Sequence, residues 1–319
     1  MPDYKIEIQL YPISNIGEGG WVCAFPMQNG SFLIVKDGLV YDEFLKPIIF
    51  YEYKTAHKIQ PNYVQRFSNG DYLLVEARET KKHPNAFICD KNGKFLRAFK
   101  IGDAINKLIV DSKDRIWVGY FDEGVFGKSE ISQYGLNRFD ENGRLEYSFM
   151  CDGLNIDDCY NLNIDGRNNA IIAPYSKPKI ANIDDQNAKV ICENTIGDVP
   201  FGLFINDEYI AKIGAGFDKN DPEGKIEELD FLTYDLTNNA IITGPMFDNL
   251  DENRFETYDS CITIINRQNE NVKLVQVFDE ENKILSLRNC NCYQDRALIC
   301  SNGKIYSLEF QKIIDAISI

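Results

Sequence analysis

Residues 107–120 read KLIVDSKDRIWVGY and residues 136–149 read LNRFDENGRLEYSF. Each is an apolar run, a short polar turn and a second apolar run. The preceding stretch has the same form, with YVQRFSNGDYLLVEA at 63–77 and AFICDKNGKFLRAF at 86–99. Asn-Gly set between apolar alternations is the strongest short-range hairpin signal. Both stretches therefore predict strand, tight turn, strand, loop, strand, turn, strand.

The pattern recurs more loosely elsewhere. Gln28-Asn29-Gly30-Ser31 precedes Phe32-Leu33-Ile34-Val35, Asp165-Gly166-Arg167-Asn168 precedes Ala170-Ile171-Ile172-Ala173, and Asn206-Asp207-Glu208 precedes Tyr209–Ile213. A last unit spans Val272–Phe310, with Ser301-Asn302-Gly303-Lys304 between two strands. Six units in 319 residues is ~53 residues each, close to known blade lengths. Four antiparallel strands repeated radially make an all-β propeller, which protects its strand edges by closing on itself. The expectation is one domain over 1–319 with six blades; Ser260–Glu280 is the candidate for a seventh. Tyr4–Leu10 is expected to latch the last blade, and Phe310–Ile317 to form a short helix. A pair of all-β domains is the rival, but no Pro/Ser/Gly-rich linker marks a boundary.

Composition narrows the function. Acidic residues outnumber basic ones by 49 to 34, for a net charge of −15. A nucleic-acid surface needs a basic footprint, so none is expected. No apolar run approaches ~18 residues, so no membrane-spanning helix is expected. Charges within Met1–Glu7 occupy the place of a leader's apolar core, and nine cysteines are spread along the chain. Together these predict reduced thiols and a cytoplasmic location. Cys290-Asn291-Cys292 is the close pair; strand alternation points both thiols to one face, and no second ligand pair accompanies them.

Loop length points to a face. Connections 68–71, 90–93, 111–114 and 140–143 are tight, while Arg78–Asn85, Asp122–Gln133, Met150–Asp158 and Gly216–Asp230 are long. In an antiparallel blade the first and third connections lie on one face, the second and fourth on the other. The long loops thus share one face, the natural binding surface. Its acidic and aromatic residues Asp122, Glu123, Phe126, Tyr175, Phe217 and Asp218 are the candidate binding residues. Charge of this kind steers encounter and selects partners, so a basic protein is the expected partner.

Val110–Gly119 resembles the D-x-x-G-x-I-W-V-G repeat of bacterial two-component-regulator propellers and their NHL-like relatives, and Phe139-Asp140-Glu141-Asn142-Gly143 resembles their F-D-x-N-G turn. Asp114 stands where that repeat has Gly. The resemblance covers roughly 63–150 and implies the fold and, as one function, ligand sensing. Gly17-Glu18-Gly19-Gly20-Trp21 resembles the opening of gluconolactonase-type hydrolases. This resemblance implies a divalent metal in the central channel with Glu18 as a ligand. The accompanying Asn and Asp have no counterpart: the nearest elements are Asp152-Gly153-Leu154 and Phe201-Gly202-Leu203.

Other motifs are absent or fail. Asp218–Gly224 lacks the calcium-loop pattern, Pro222 and Glu223 standing at its fifth and sixth positions. No Gly-x-Ser-x-Gly or His-Glu-x-x-His occurs. His57 and His83 have no visible catalytic partner, and Trp21 and Trp117 read as blade core. The sequence thus predicts a non-enzymatic propeller without a cofactor, binding a protein through its long-loop face as an adaptor or immunity protein. The alternatives are a metal-dependent lactone hydrolase using Glu18 and a small-ligand sensor.

Overall fold

A computed structural model describes residues 5–50, 58–81, 83–175, 179–193, 199–214, 233–235, 240–242, 260–268 and 272–317. His57, Phe217 and Asp218 lie outside the described residues, as do most of the loops at 215–259. Five four-stranded sheets and one five-stranded sheet form a six-bladed propeller. Blade I contains Val22–Pro26, Phe32–Lys36, Leu39–Asp42 and Pro47–Ile48. Blade II contains Tyr63–Arg66, Tyr72–Val75, Ala86–Cys89 and Phe95–Phe99. Blade III contains Ile105–Val110, Ile116–Tyr120, Leu136–Phe139 and Leu145–Ser148. Blade IV contains Asn163–Ile164, Ala170–Ile172, Ile180–Asp184 and Asn187–Cys192. The two repeats read from the sequence are blades II and III.

Blades V and VI correct the expected boundaries. Blade V is Gly202–Ile205, Tyr209–Ile213, Cys261–Asn266 and Val272–Phe278, with Lys5–Gln9 added in parallel to its outer strand. Ser260–Glu280 therefore supplies two strands of the fifth blade and is no seventh blade. Blade VI is Cys290–Tyr293, Arg296–Ser301 and Lys304–Glu309, and Pro12–Asn15 pairs antiparallel with the last of these. The latch is thus Pro12–Asn15, while the strand assigned that role pairs with blade V. The predicted helix forms at Phe310–Ile317, burying Phe310, Ile313 and Ile317. Phe310 stacks on Phe204 at 5.3 Å.

One turn recurs around the ring. Asp90 Oδ1 accepts the N–H groups of Asn92 and Lys94 at 2.8 and 2.9 Å. Asp42, Asp111, Asp140 and Asp165 accept from positions two and four residues on in the same way. An Asp that bonds its own backbone two residues on fixes such turns. The position three residues after each Asp is left-handed: Leu45, Gly93, Asp114, Gly143 and Asn168 have φ of 62, 82, 60, 81 and 66°.

At two of these positions a polar side chain replaces Gly and ties one blade to the one before. Asp114 accepts the N–H and hydroxyl of Ser68 at 2.7 and 2.5 Å. Asn168 accepts the N–H and hydroxyl of Ser112 at 3.0 and 2.7 Å. A non-glycine residue in this conformation costs about 1–2 kcal/mol, and the interblade bonds offset it. Beneath them Asp111, fully buried, also accepts from Arg115 Nε at 2.8 Å and Trp117 Nε1 at 3.1 Å. Trp117 is core, as expected. Trp21 is not: it is 45% exposed, at the end of a loop whose Gly17, Gly19 and Gly20 all have positive φ.

Two outcomes follow for stability. Asp111→Ala leaves Arg115 and the Trp117 indole without their acceptor, and should cost about 3 kcal/mol, or roughly 5–10 °C in Tm by scanning calorimetry. Asp114→Ala loses the Ser68 bonds but keeps the strained φ, whereas Asp114→Gly loses the bonds and relieves the strain. The glycine variant should therefore be more stable than the alanine variant by about 1 kcal/mol, or roughly 2–4 °C in Tm; equal melting would remove strain from the account.

Candidate functional site

The tight turns leave the other face to the long connections. Residues 121–135 join the second and third strands of blade III, 149–162 join blades III and IV, 173–179 lie within blade IV, and 193–201 join blades IV and V. They bring together Phe121, Asp122, Asp158, Tyr160, Tyr175 and Phe201. Tyr160 is the centre of the ring contacts, with centroids at 6.0 Å to Phe121, 5.9 Å to Tyr175 and 6.4 Å to Phe201, all edge-to-face. Such pairs contribute about 0.5–1.5 kcal/mol beyond burial.

Asp158 lies against this cluster. It is 5% exposed, and its Oδ1 has no hydrogen-bond partner among the described residues. Burial, then the negative charge of Asp122, pushes its carboxyl up to about 6. The Tyr160 hydroxyl and the N–H groups of Asp122 and Cys159 oppose the shift without cancelling it. Tyr160 in turn is pushed up to about 12 by burial and by Asp158. A buried carboxylate normally finds an ionic or multiple hydrogen-bond partner.

Four of the candidate binding residues fall on this face. Asp122 and Glu123 open the short helix Asp122–Val125. Phe126 follows it at 72% exposure, and Tyr175 is 59% exposed. Glu123 pairs with Arg78, which also meets Asp103 at 3.1 Å. That pair is exposed on both sides and contributes little. Asp158, Tyr160, Phe121 and Phe201 escape a reading of the sequence because four separate loops converge on them; the one visible signal is that each adjoins or lies in a long loop.

The central channel is crossed by a cation. Lys107, on the first strand of blade III, reaches the opposite side of the ring and donates from Nζ to the carbonyls of Cys290 at 2.8 Å and Phe201 at 3.2 Å. Farther along, Asn163 Nδ2 bridges the carbonyls of Leu203 and Gln294 at 2.7 Å each. Cys290 and Cys292 share one face, their sulfurs 3.8 Å apart. Burial pushes the Cys23 thiol up to about 11 and the Cys159 thiol up to about 12, with Lys107 opposing in both. These are protonated, packed thiols, and all nine cysteines are free.

The divalent metal implied by the gluconolactonase resemblance does not fit this channel. The first strands of the six blades carry no Asp or Glu, and the groups that cross it are an ammonium and an amide. A hard cation wants several oxygen ligands, carboxylates foremost. Glu18 is exposed on the loop before blade I, and no group of three His, Cys, Asp or Glu side chains suited to a metal occurs among the described residues.

No family model and no curated protein sequence matches the chain. Solved structures share its fold. The extracellular domain of a candidate hybrid two-component system from B. thetaiotaomicron superposes with TM-score 0.50 at 11% identity, over 90% of this chain and 33% of that one. A candidate gluconolactonase superposes with TM-score 0.50 at 8% identity, over 93% and 90% of the two chains. Virginiamycin B lyase from Staphylococcus aureus reaches 0.47 at 12% identity, over 92% and 96%. The chain spans a third of the two-component ectodomain's length. At these identities the likeness concerns architecture alone: the chain is a six-bladed β-propeller.

Proposed function

We propose that this propeller is a non-enzymatic binding module whose long-loop face takes a basic protein partner. The observation that carries the reading is the exposure of Phe126, Tyr175 and Met150, the last at 73%, on the face that also bears Asp122 and Asp158. Large exposed side chains clustered with charge mark interaction surfaces, and aromatic anchors dominate their energetics. The net charge of −15 adds long-range attraction for a basic partner. A channel crossed by Lys107 supports placing the activity at the rim. An adaptor or immunity role in a reducing cytoplasm is the concrete form of the proposal.

The test is affinity capture from native lysate with the wild-type chain and a Phe126→Ala/Asp122→Arg variant, read by mass spectrometry. A protein held by wild type should be lost by the variant, whose Tm should stay within about 2 °C. Its association rate should fall as salt rises from 50 to 500 mM, since screening shortens the reach of exposed charges to about 10 Å or less. Identical captured proteins for both chains, or none for either, would remove the face from the account.

A further inference from the structure

The face of the tight turns also carries a hollow. Between the turns of blades I and II opens a cleft of about 520 Å³, within the range that holds small ligands. The first hairpin turns of the two blades wall it, with Lys91 of the turn at 90–94 beside them. The nearly buried Met27 and Phe67 give it an apolar part. Among the described residues, the charged side chains in its lining are Arg66 and Lys91 alone, in a chain with a net charge of −15.

Arg66 is held in place. Its Nε donates to the Gly70 carbonyl at 3.2 Å, and its guanidinium carbon lies 5.1 Å from the centre of the Tyr72 ring. Its Nη1 and Nη2 have no acceptor among the described residues. A methyl group built on Gly70 would meet Arg66 Nη2 at 3.6 Å and Lys91 Cβ at 3.7 Å, so the bare glycine leaves that space to the two cations. Neither cation has an ion-pair partner among the described residues. The carboxylates of the surrounding turns are engaged elsewhere: Asp71 by the Asn69 amide at 2.9 Å, Asp90 by N–H groups of its own turn, and Asp114 by Ser68. Two like charges around one glycine repel, and an anion between them removes that cost. The guanidinium fork matches two oxygens of a phosphate or carboxylate. A second cation favours the more highly charged of these, and a phosphate monoester carries about −1.5 to −2 near neutral pH.

We propose that Arg66 and Lys91 form a site for the phosphoryl group of a phosphate monoester. Arg66 takes two of its oxygens through Nη1 and Nη2, Lys91 supplies the second charge, and the organic part lies against Met27 and Phe67. Repulsion from the rest of the chain is screened beyond about 10 Å at 0.1 M salt, so the two adjacent cations decide the sign of the interaction. The site lies on the face opposite Phe126 and Tyr175, so it stands or falls independently of the partner surface.

The experiment is titration calorimetry of the full chain with glycerol 3-phosphate, Nα-acetyl-phosphoserine amide, inorganic phosphate and acetate. The two esters separate a free small molecule from a modified protein, and the tighter of them names the source. Both should saturate in the millimolar range or below, inorganic phosphate should bind more weakly than either, and acetate should not saturate. Lys91→Gln changes an exposed turn position, so its Tm should stay within about 2 °C of wild type while ester binding weakens on the order of tenfold. Arg66→Lys keeps the charge and loses the fork, and should weaken binding by a similar factor. Lys128→Gln, on the opposite face, should leave it unchanged. Absence of saturable binding by either ester would overturn the inference. So would acetate or inorganic phosphate binding as tightly as the esters, or undiminished ester binding by Lys91→Gln.

Discussion

The turn in which an aspartate oxygen accepts two N–H groups of its own loop holds this molecule in order. Asp42, Asp90, Asp111, Asp140 and Asp165 each fix the hand and length of one short connection. With those connections fixed at one end of the blades, every insertion has to emerge at the other. Blade pairing depends on the same device, because Asp114 and Asn168 use the left-handed position of the turn to hold a serine of the preceding blade. The turn that keeps the strand register thus also sets the spacing between neighbouring sheets, through a second side chain three residues on.

How much of this was legible in the sequence follows the range of the interactions. The hairpins of blades II and III are local, so Asp-x-Asn-Gly and apolar alternation reveal them. Asp114 in place of Gly looked like a flaw in the repeat and proves to be an interblade tie, visible only once Ser68 is beside it. The open question of a seventh blade at Ser260–Glu280 and the misplaced latch share one cause. Blade V is interrupted by a long insertion, and blade VI is built from both ends of the chain, so neither shows its four strands consecutively. Trp21 was read as core from its type, but its glycine-rich loop holds it outside.

The candidate site divides the same way. Asp122, Glu123, Phe126 and Tyr175 stand in loops whose length alone marks the face, and they are found there. Asp158 and Tyr160 matter because of what surrounds them: a carboxylate stripped of water and a ring touching three others. Lys107 gave no signal in an apolar strand, yet its ammonium reaches two carbonyls on the far side of the ring. In the channel it presents hydrogen-bond donors that engage main-chain carbonyls.

The strap formed by Lys5–Gln9 and Pro12–Asn15 joins blades V and VI to the beginning of the chain. Strand partners such as Asn15 and Lys304 are separated by nearly the whole sequence, so closing the circle is the contact of greatest loop-closure entropy in the fold. Lys5–Gln9 has no strand to pair with until blade V is made, and Pro12–Asn15 none until blade VI is made. Until those pairings form, the ring is open and the outer strand of blade V and the last strand of blade VI each keep an unpaired edge. For such a molecule the vulnerable period is birth, when exposed edge strands invite pairing with other nascent chains.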